Sequence, residues 1–538
     1  MDAQTEKVNT EKERVHGITD VFSKGIIYHM TSFGISKIFG ILFTIVILNY
    51  FAAGESDLYF TANAFVSTIS SIAGLGLGIA AIKFLPGMVL RKEGNKLKTE
   101  VLSAIVFLAI LIMVFFVGAI IVPYFVPQLR FFDFEQFSGI AIIAFLLAFM
   151  ILESAYVSSV LNAFKEFFST SLINVIVQVL RFLILLALIY FGSAKAAQML
   201  GGYVLSYAVV LVYLLWVLHG KIKKISGEAK IDFSSLEKSL KFGLPLYMGS
   251  VIDTFLTQMD IILIAYFLGD QPGIVSGYTA AILIIRNIAP MVAAPIITVQ
   301  QPILVEEYER KSEMFLKITR EVSRWAFYLG LPALLVFLAF DVAFLQIIAK
   351  NYVTNSYLMW LFAPFVIFTL LGISFRNSLM ARGHVKTLLG VSVLMVALNF
   401  GLDWTLIPVM GVAGAAIGSS LSIMIGESIV VWRANRKFGA TPHTDIFKAL
   451  IAFGISLGLA FVSLPYFGQL TVFAQGGILK LVLSMTIVCL VYLAGLFLLK
   501  GFKRRDFETG LRFLEKNTFV WLADLIRPVC ESVIKYTG

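Results

Sequence analysis

The chain has 538 residues, of which 59% are hydrophobic and only 14% charged, and its mean hydropathy is +0.89. Average soluble domains are about 25% charged, so this composition excludes a soluble enzyme, a nucleic-acid binder and a disordered protein. Lys and Arg outnumber Asp and Glu by 43 to 33, a net charge of +10 whose meaning depends on where the basic residues fall.

Residues 1–24 carry Lys7, Lys12, Arg14 and Lys24 among acids and have no apolar core, which reads as a cytosolic tail and not a cleavable signal peptide. A bilayer core takes about 20 apolar residues per helix. Fourteen stretches qualify, at 25–53, 58–86, 100–125, 137–163, 167–192, 197–219, 239–269, 273–304, 322–349, 356–381, 387–409, 411–433, 446–470 and 476–500. The fold class is therefore an all-α polytopic membrane protein. Lys503, Arg504 and Arg505 follow the last span, and then Leu511, Leu514, Trp521, Leu522 and Leu525 fall on helical spacing. That pattern suits an amphipathic helix on the inner leaflet or one packed under the bundle. Cys489 and Cys530 form no CxxC pair, and the five His form no metal set.

With the amino terminus on the cytosolic side, 34 of the 43 basic residues fall in cytosolic segments or span tips and six lie deeper in spans. Only Arg130, Lys195 and Lys350 fall outside. This positive-inside pattern predicts that both ends face the cytosol. Most of the +10 is thus topology.

An internal repeat runs at an offset of 218 residues. Phe60-Thr61-Ala62 matches Tyr278-Thr279-Ala280, Leu161 and Ala163 match Leu379 and Ala381, and Leu180-Arg181-Phe182 matches Leu398-Asn399-Phe400. The offset covers six spans, so the two halves keep the same orientation, as in transporters built from parallel repeats. The expected organisation is an amino-terminal lobe at 25–219, a cytosolic linker at 220–238, a carboxy-terminal lobe at 239–433, two further spans at 446–500, and a cytosolic tail at 501–538. Gly74, Gly76 and Gly78 follow no strand and are read as close helix packing and not as a nucleotide loop.

Ionisable groups inside spans are costly and mark functional candidates. Lys83, Arg376 and Lys480 lie near enough to an interface to snorkel, whereas Lys37, Arg181 and Arg286 sit nearer mid-span. The acids are Glu153, Asp253, Asp260, Asp341, Asp403 and Glu427. The first six spans hold an excess of cations and the next six an excess of acids. Asn399 and Asp403 are four apart on one helix face, and Asp253 and Asp260 are seven apart with Thr257 between them. Together with Ser419 these oxygens suit a hard cation, while a lone carboxylate would carry H⁺. The competing reading is polar packing between helices.

Further motifs are Lys241-Phe242-Gly243-Leu244-Pro245-Leu246, Gly277-Tyr278-Thr279-Ala280-Ala281, Leu406-Ile407-Pro408 with Gly411, and Gly414-Ala415-Ala416-Ile417-Gly418. Gly76-Leu77-Gly78 with Lys83-Phe84 completes the set. Over roughly residues 20–500 the chain resembles the multidrug/oligosaccharidyl-lipid/polysaccharide exporter superfamily, and specifically its polysaccharide-flippase branch. The resemblance implies two six-helix lobes in a MATE-like fold, with spans 13 and 14 added. It also implies alternating access and movement of a polyprenyl-diphosphate-linked oligosaccharide across the cytoplasmic membrane.

On that basis Lys37, Lys83, Arg181, Arg286 and Glu153 are candidates for the substrate's diphosphate and sugar, since Arg and Lys neutralise and donate to phosphate oxygens. The similarity to lipid II flippases implies a Na⁺ site at Asp260, Asn399, Asp403 and Ser419, with the Ala415 carbonyl and Asp253 nearby. The expectation is thus a transporter and not an enzyme. It has no cofactor beyond Na⁺ or H⁺ as coupling ion. Its partners are the lipid-linked glycan, membrane lipids and other glycan-assembly proteins, and it binds no nucleic acid. A cation-coupled drug or metabolite exporter of the MATE type is the alternative. A glycan polymerase fits poorly, because the longest outer connector, about 125–136, offers only Arg130, Asp133 and Glu135.

Overall fold

A computed structural model describes residues 28, 31–125, 134–192, 195–310, 313–463, 477–503 and 506. The expected cytosolic tail 1–24, the amphipathic segment 511–525, Arg130 and Cys530 lie outside the described residues. In hydrocarbon every backbone N–H and C=O needs an internal partner, so apolar stretches of this length fold as helices. Among the described residues thirteen helices are long and apolar enough to cross a membrane, and counting the bent pair Ala53–Ala73 with Leu77–Leu90 as one span gives up to fourteen. The protein is a multi-pass, all-α membrane protein.

The helices are α1 (Thr31–Tyr50), α2 (Ala53–Ala73), α3 (Leu77–Leu90), α4 (Gly94–Phe125), α5 (Phe134–Ala163), α6 (Phe167–Tyr190) and α7 (Ala196–Ile222). They continue with α8 (Glu237–Leu268), α9 (Ile274–Glu309), α10 (Met314–Ala339), the short α11 (Asp341–Ile348) and α12 (Tyr357–Leu361), and α13 (Ala363–Ala381). The last four are α14 (Val385–Met410), α15 (Val412–Phe438), α16 (Asp445–Ser463) and α17 (Gly477–Leu498). The span expected at 322–349 is shifted: α10 ends at Ala339, and Asp341 opens α11. The Asp341 carboxylate accepts from its neighbour's N–H (Val342, 2.7 Å) and from Trp360 Nε1 (3.0 Å). An acid expected inside a span therefore starts a short helix instead.

The repeat reappears in the helix boundaries. Shifted by 218, α6 becomes 385–408 and α14 is Val385–Met410; α7 becomes 414–440 and α15 is Val412–Phe438. Likewise α4 becomes 312–343, against Met314–Ala339 for α10. The α2–α3 span departs from its counterpart α9. The bent span α2–α3 turns by 42° where Leu75 and Gly76 adopt positive φ (45° and 76°). A Cβ at Gly76 would lie 2.3 Å from the Gly243 carbonyl oxygen, so only glycine allows this backbone contact with α8. The glycine run is a packing device.

Two compact units divide the chain. The first comprises residues 1–279 and 400–415, the second 280–399 and 416–538. In the first unit α5 is central, packing on α2, α3, α4, α6 and α7, while α8 packs on α2 and α3. Two acids near the start of α2 pin other helices: Glu55 accepts from the Ala196 N–H (2.5 Å), and Asp57 accepts from the N–H groups of Gly273 and Ser276 (2.6 and 2.7 Å). Each carboxylate satisfies donors that a helix start leaves unpaired.

In the second unit α10 is central, packing on α13, α16 and α17. A buried polar seam joins α9, α10 and α13. Gln300 donates to Ser374 (2.6 Å), Asn377 donates to Gln300 (3.0 Å), and the hydroxyls of Thr319 and Ser378 lie 2.7 Å apart. Such bonds hold helices together where lipid removes the hydrophobic drive.

Candidate functional site

Arg181 is carried on α6 in the first unit. Its guanidinium carbon lies 3.7 Å from the centre of the Phe43 ring and 4.4 Å from that of Tyr203. Aromatic faces stabilise a cation without accepting its N–H bonds in the way an oxygen does. Among the described residues no acceptor lies within hydrogen-bonding reach of the buried Arg181 Nε. The charge is thereby held in mid-span with donor capacity in hand.

The other candidate cations differ from it. Lys37 is exposed, with Nζ 5.4 Å from the Phe33 ring. Lys83 is exposed with Nζ 5.8 Å from Phe242, and Lys238 lies 4.8 Å from Phe84, whose ring meets that of Phe242 edge-on at 5.2 Å. Lys238 was not a sequence candidate, because only tertiary packing pairs the tip of α8 with α3. Glu153 on α5 is 2% exposed, and neither carboxylate oxygen has a hydrogen-bond partner among the described residues.

Two of the acidic cation-site candidates in this unit are buried completely. Asp260 is fully buried and accepts from the Tyr278 hydroxyl at 2.5 Å. Tyr278 stood in the sequence only as part of a motif; its role as the donor to Asp260 needs the structure. Asp403 is also fully buried, whereas Asp253 is exposed. Trp404, next to Asp403, stacks on Tyr266 (5.8 Å) and meets Phe267 edge-on (5.0 Å), which fixes α8 against the latter part of α14.

In the second unit Asn399 Nδ2 donates to Ser419 Oγ at 3.3 Å, and both residues are buried. Arg286 is half-buried, 5.8 Å from the Phe365 ring. Arg376, expected to snorkel, instead pairs with the buried Glu427 carboxylate at 2.5 Å. Gly372 leaves the room: a Cβ there would lie 1.7 Å from Glu427 Oε2. A glycine one turn before an intramembrane arginine was the available signal for this pair.

Asp260 and Asp403 belong to the first, and Asn399 and Ser419 to the second. Carboxylate, amide and hydroxyl oxygens are the donor types a hard cation takes. No cluster of three or more His, Cys, Asp and Glu that would hold a transition metal occurs among the described residues.

A second cluster, unforeseen from sequence, lies at the basic end of α10. Arg324, 1% exposed, binds both oxygens of Asp506 (2.7 and 3.0 Å), pairs with Glu321 (2.9 Å), and approaches Asp445 (3.8 Å). Lys503 lies 2.9 Å from His443 Nε2 and 3.2 Å from Glu321, and Tyr328 donates to the Gly501 carbonyl. Burial, and then the Lys503 charge, push the His443 pKa below its ordinary value. The partners lie up to 185 positions apart, so no local pattern signals them.

Comparison with known proteins bears on the family. An uncharacterized membrane protein of Methanocaldococcus jannaschii is 22% identical over 435 residues, 77% of this chain and 84% of the relative. A lipid II flippase, MurJ, in an inward closed conformation superposes with a TM-score of 0.69 at 16% identity, covering 87% of this chain and 98% of that one. An inward-facing multidrug resistance MATE transporter of the MOP superfamily superposes at 0.56 and 14% identity, covering 75% and 94%. These likenesses establish a MATE-like fold. The family model described as polysaccharide biosynthesis protein matches residues 22–308, more than half of the chain. The chain belongs to the polysaccharide biosynthesis protein family of the MOP superfamily.

Proposed function

We propose that the protein is a flippase that moves a polyprenyl-diphosphate-linked oligosaccharide across the cytoplasmic membrane by alternating access, with both termini on the cytosolic side. The observation that carries this reading is Arg181, a guanidinium held between Phe43 and Tyr203 in the middle of a span. A mid-membrane cation costs free energy unless an anion uses it, and a diphosphate offers oxygens that a guanidinium binds in a forked geometry. Lys37, Lys83 and Lys238 add charge along the approach. Family membership and the likeness to a lipid II flippase support the substrate class.

Coupling to Na⁺ or H⁺ belongs to the same proposal. Asp260 and Asp403 are fully buried, and Asn399 and Ser419 supply neutral oxygens. A cation-coupled multidrug exporter would share this acidic set, but it would have no need of a phosphate-binding guanidinium.

The test is a deletion strain scored for lipid-linked intermediates and complemented with variants of equal membrane abundance. Deletion should trap the intermediate on the cytosolic leaflet. Arg181→Gln should fail to clear it, with export lowered about 10- to 100-fold, as expected for one charged hydrogen bond worth about 1.5–3 kcal/mol. Arg181→Lys should retain part of the activity. An unchanged lipid profile with new drug sensitivity would favour the exporter instead.

A further inference from the structure

The outward side of α15 carries an apolar groove of about 470 Å³ lined by Phe368, Met424, Ile425, Ser428, Ile429 and Trp432. Its volume is within the range of ligand sites, about 300–1,000 Å³. Ile425 and Trp432 are 38% and 49% exposed, so the groove opens at the surface of the second unit.

Its basic end is built differently. The Trp432 ring carries two guanidinium groups, Arg433 at 5.0 Å and Arg436 at 5.5 Å. Both arginines are exposed, and neither pairs with a carboxylate among the described residues. The acid nearest in sequence, Glu427, is buried and already bound to Arg376. Lys437 adds a third positive charge in the last turn.

Ile425, Ile429, Trp432 and Arg436 are spaced by four, three and four residues, and so form one stripe along the helix. Eleven residues at 1.5 Å each span about 16 Å, close to half of a hydrocarbon core about 30 Å thick. The stripe thus runs from a membrane surface to the bilayer middle, which is the reach of a single leaflet.

We propose that this groove is a specific site for an anionic phospholipid. Arg433 and Arg436, braced on Trp432, hold the phosphate, and one acyl chain lies along Ile429 and Ile425 against Phe368. The length fits one leaflet, the lining fits a hydrocarbon chain, and the unpaired charge fits an anionic head group. The assignment is independent of the flippase reading, because it needs only that the basic end of α15 reaches a membrane surface.

Trp432 itself provides the test. The full-length protein is reconstituted in nanodiscs containing phosphatidylglycerol or phosphatidylcholine with brominated acyl chains. The quenching that disappears in Trp432→Phe is assigned to this residue. Half-maximal quenching of that component should need about tenfold less brominated phosphatidylglycerol than phosphatidylcholine, consistent with two basic residues at a membrane surface. In the Arg433→Gln/Arg436→Gln variant the preference should vanish. Both variants alter exposed side chains, and an unchanged elution profile confirms folding. Equal quenching by the two lipids, or a preference that survives loss of both arginines, would overturn the site. Loss of quenching as protein density rises would assign the groove to a second copy of the chain.

Discussion

At Arg181 the first half of the chain holds a guanidinium between two rings; 218 residues later, at Asn399, the second half holds an amide against a serine hydroxyl. The helices that carry them, α6 and α14, start at corresponding residues. A similar contrast separates α4 from α10. The connector after α7 is stitched to α4 without an ion pair in these bonds: Asn95 accepts from the Glu228 N–H (2.8 Å), Ser103 accepts from the Asp232 N–H (2.9 Å), and the Lys98 ammonium donates to the Gly227 carbonyl (2.8 Å). On α10 the corresponding task falls to the buried charge cluster around Arg324. Backbone design is repeated, and polar chemistry is not. Hydrophobic length and helix ends set the first, whereas single substitutions at buried positions set the second.

The comparison can be broken at several positions. The largest stability effect should come from the Arg376–Glu427 pair, whose repeat counterparts are Ser158 and Val209. Glu427→Gln keeps the shape beside Gly372 but removes the carboxylate charge that pairs with Arg376. A half-exposed arginine softens the usual penalty for breaking a buried pair, so the loss should be about 2 kcal/mol, seen as a lower unfolding temperature in detergent. Joint replacement of both residues by Met should recover most of it.

Gly76 comes next, because its repeat counterpart is Ala294, within the continuous helix α9. Gly76→Ala must adopt φ near 76° and press a methyl on the Gly243 carbonyl. A loss of roughly 1–2 kcal/mol is expected, while Ala294→Gly should cost less than about 1 kcal/mol. Equal effects at the two positions would mean that the bend in α2–α3 carries no packing constraint.

Glu153 corresponds to Leu371. Its carboxylate is buried without a partner among the described residues, so Glu153→Leu should raise stability by about 1 kcal/mol. A fall in the unfolding temperature would reveal a partner that the carboxylate needs.

The smallest effect concerns pH. His443 has its pKa lowered in the folded protein, so its contribution is present above the unfolded-state value, about 6.5, and is lost as pH falls below it. Stability should therefore decline more from pH 7.5 to 5.5 in the wild type than in His443→Gln. The connector on α4, whose named bonds involve no group that titrates between pH 5.5 and 7.5, should show no such change in hydrogen exchange over that range.

The apolar spans, the repeat offset and the mid-helix position of Arg181 were all legible in the chain, because each is local or periodic. Burying about 20 apolar residues per span in lipid leaves helix as the only solution, and charge distribution adds an expectation of sidedness. Tertiary structure alone decided what each charge meets. Arg376 reached Glu427 and not the interface, Asp341 began a short helix, and Arg181 found Phe43 and Tyr203 across three helices. The Arg324 cluster gathers residues up to 185 positions apart. Ionic and cation–π contacts act over a few ångströms in space, and sequence spacing does not encode such distances between helices. Hydrophobic length fixed the scaffold, and packing chose the chemistry within it.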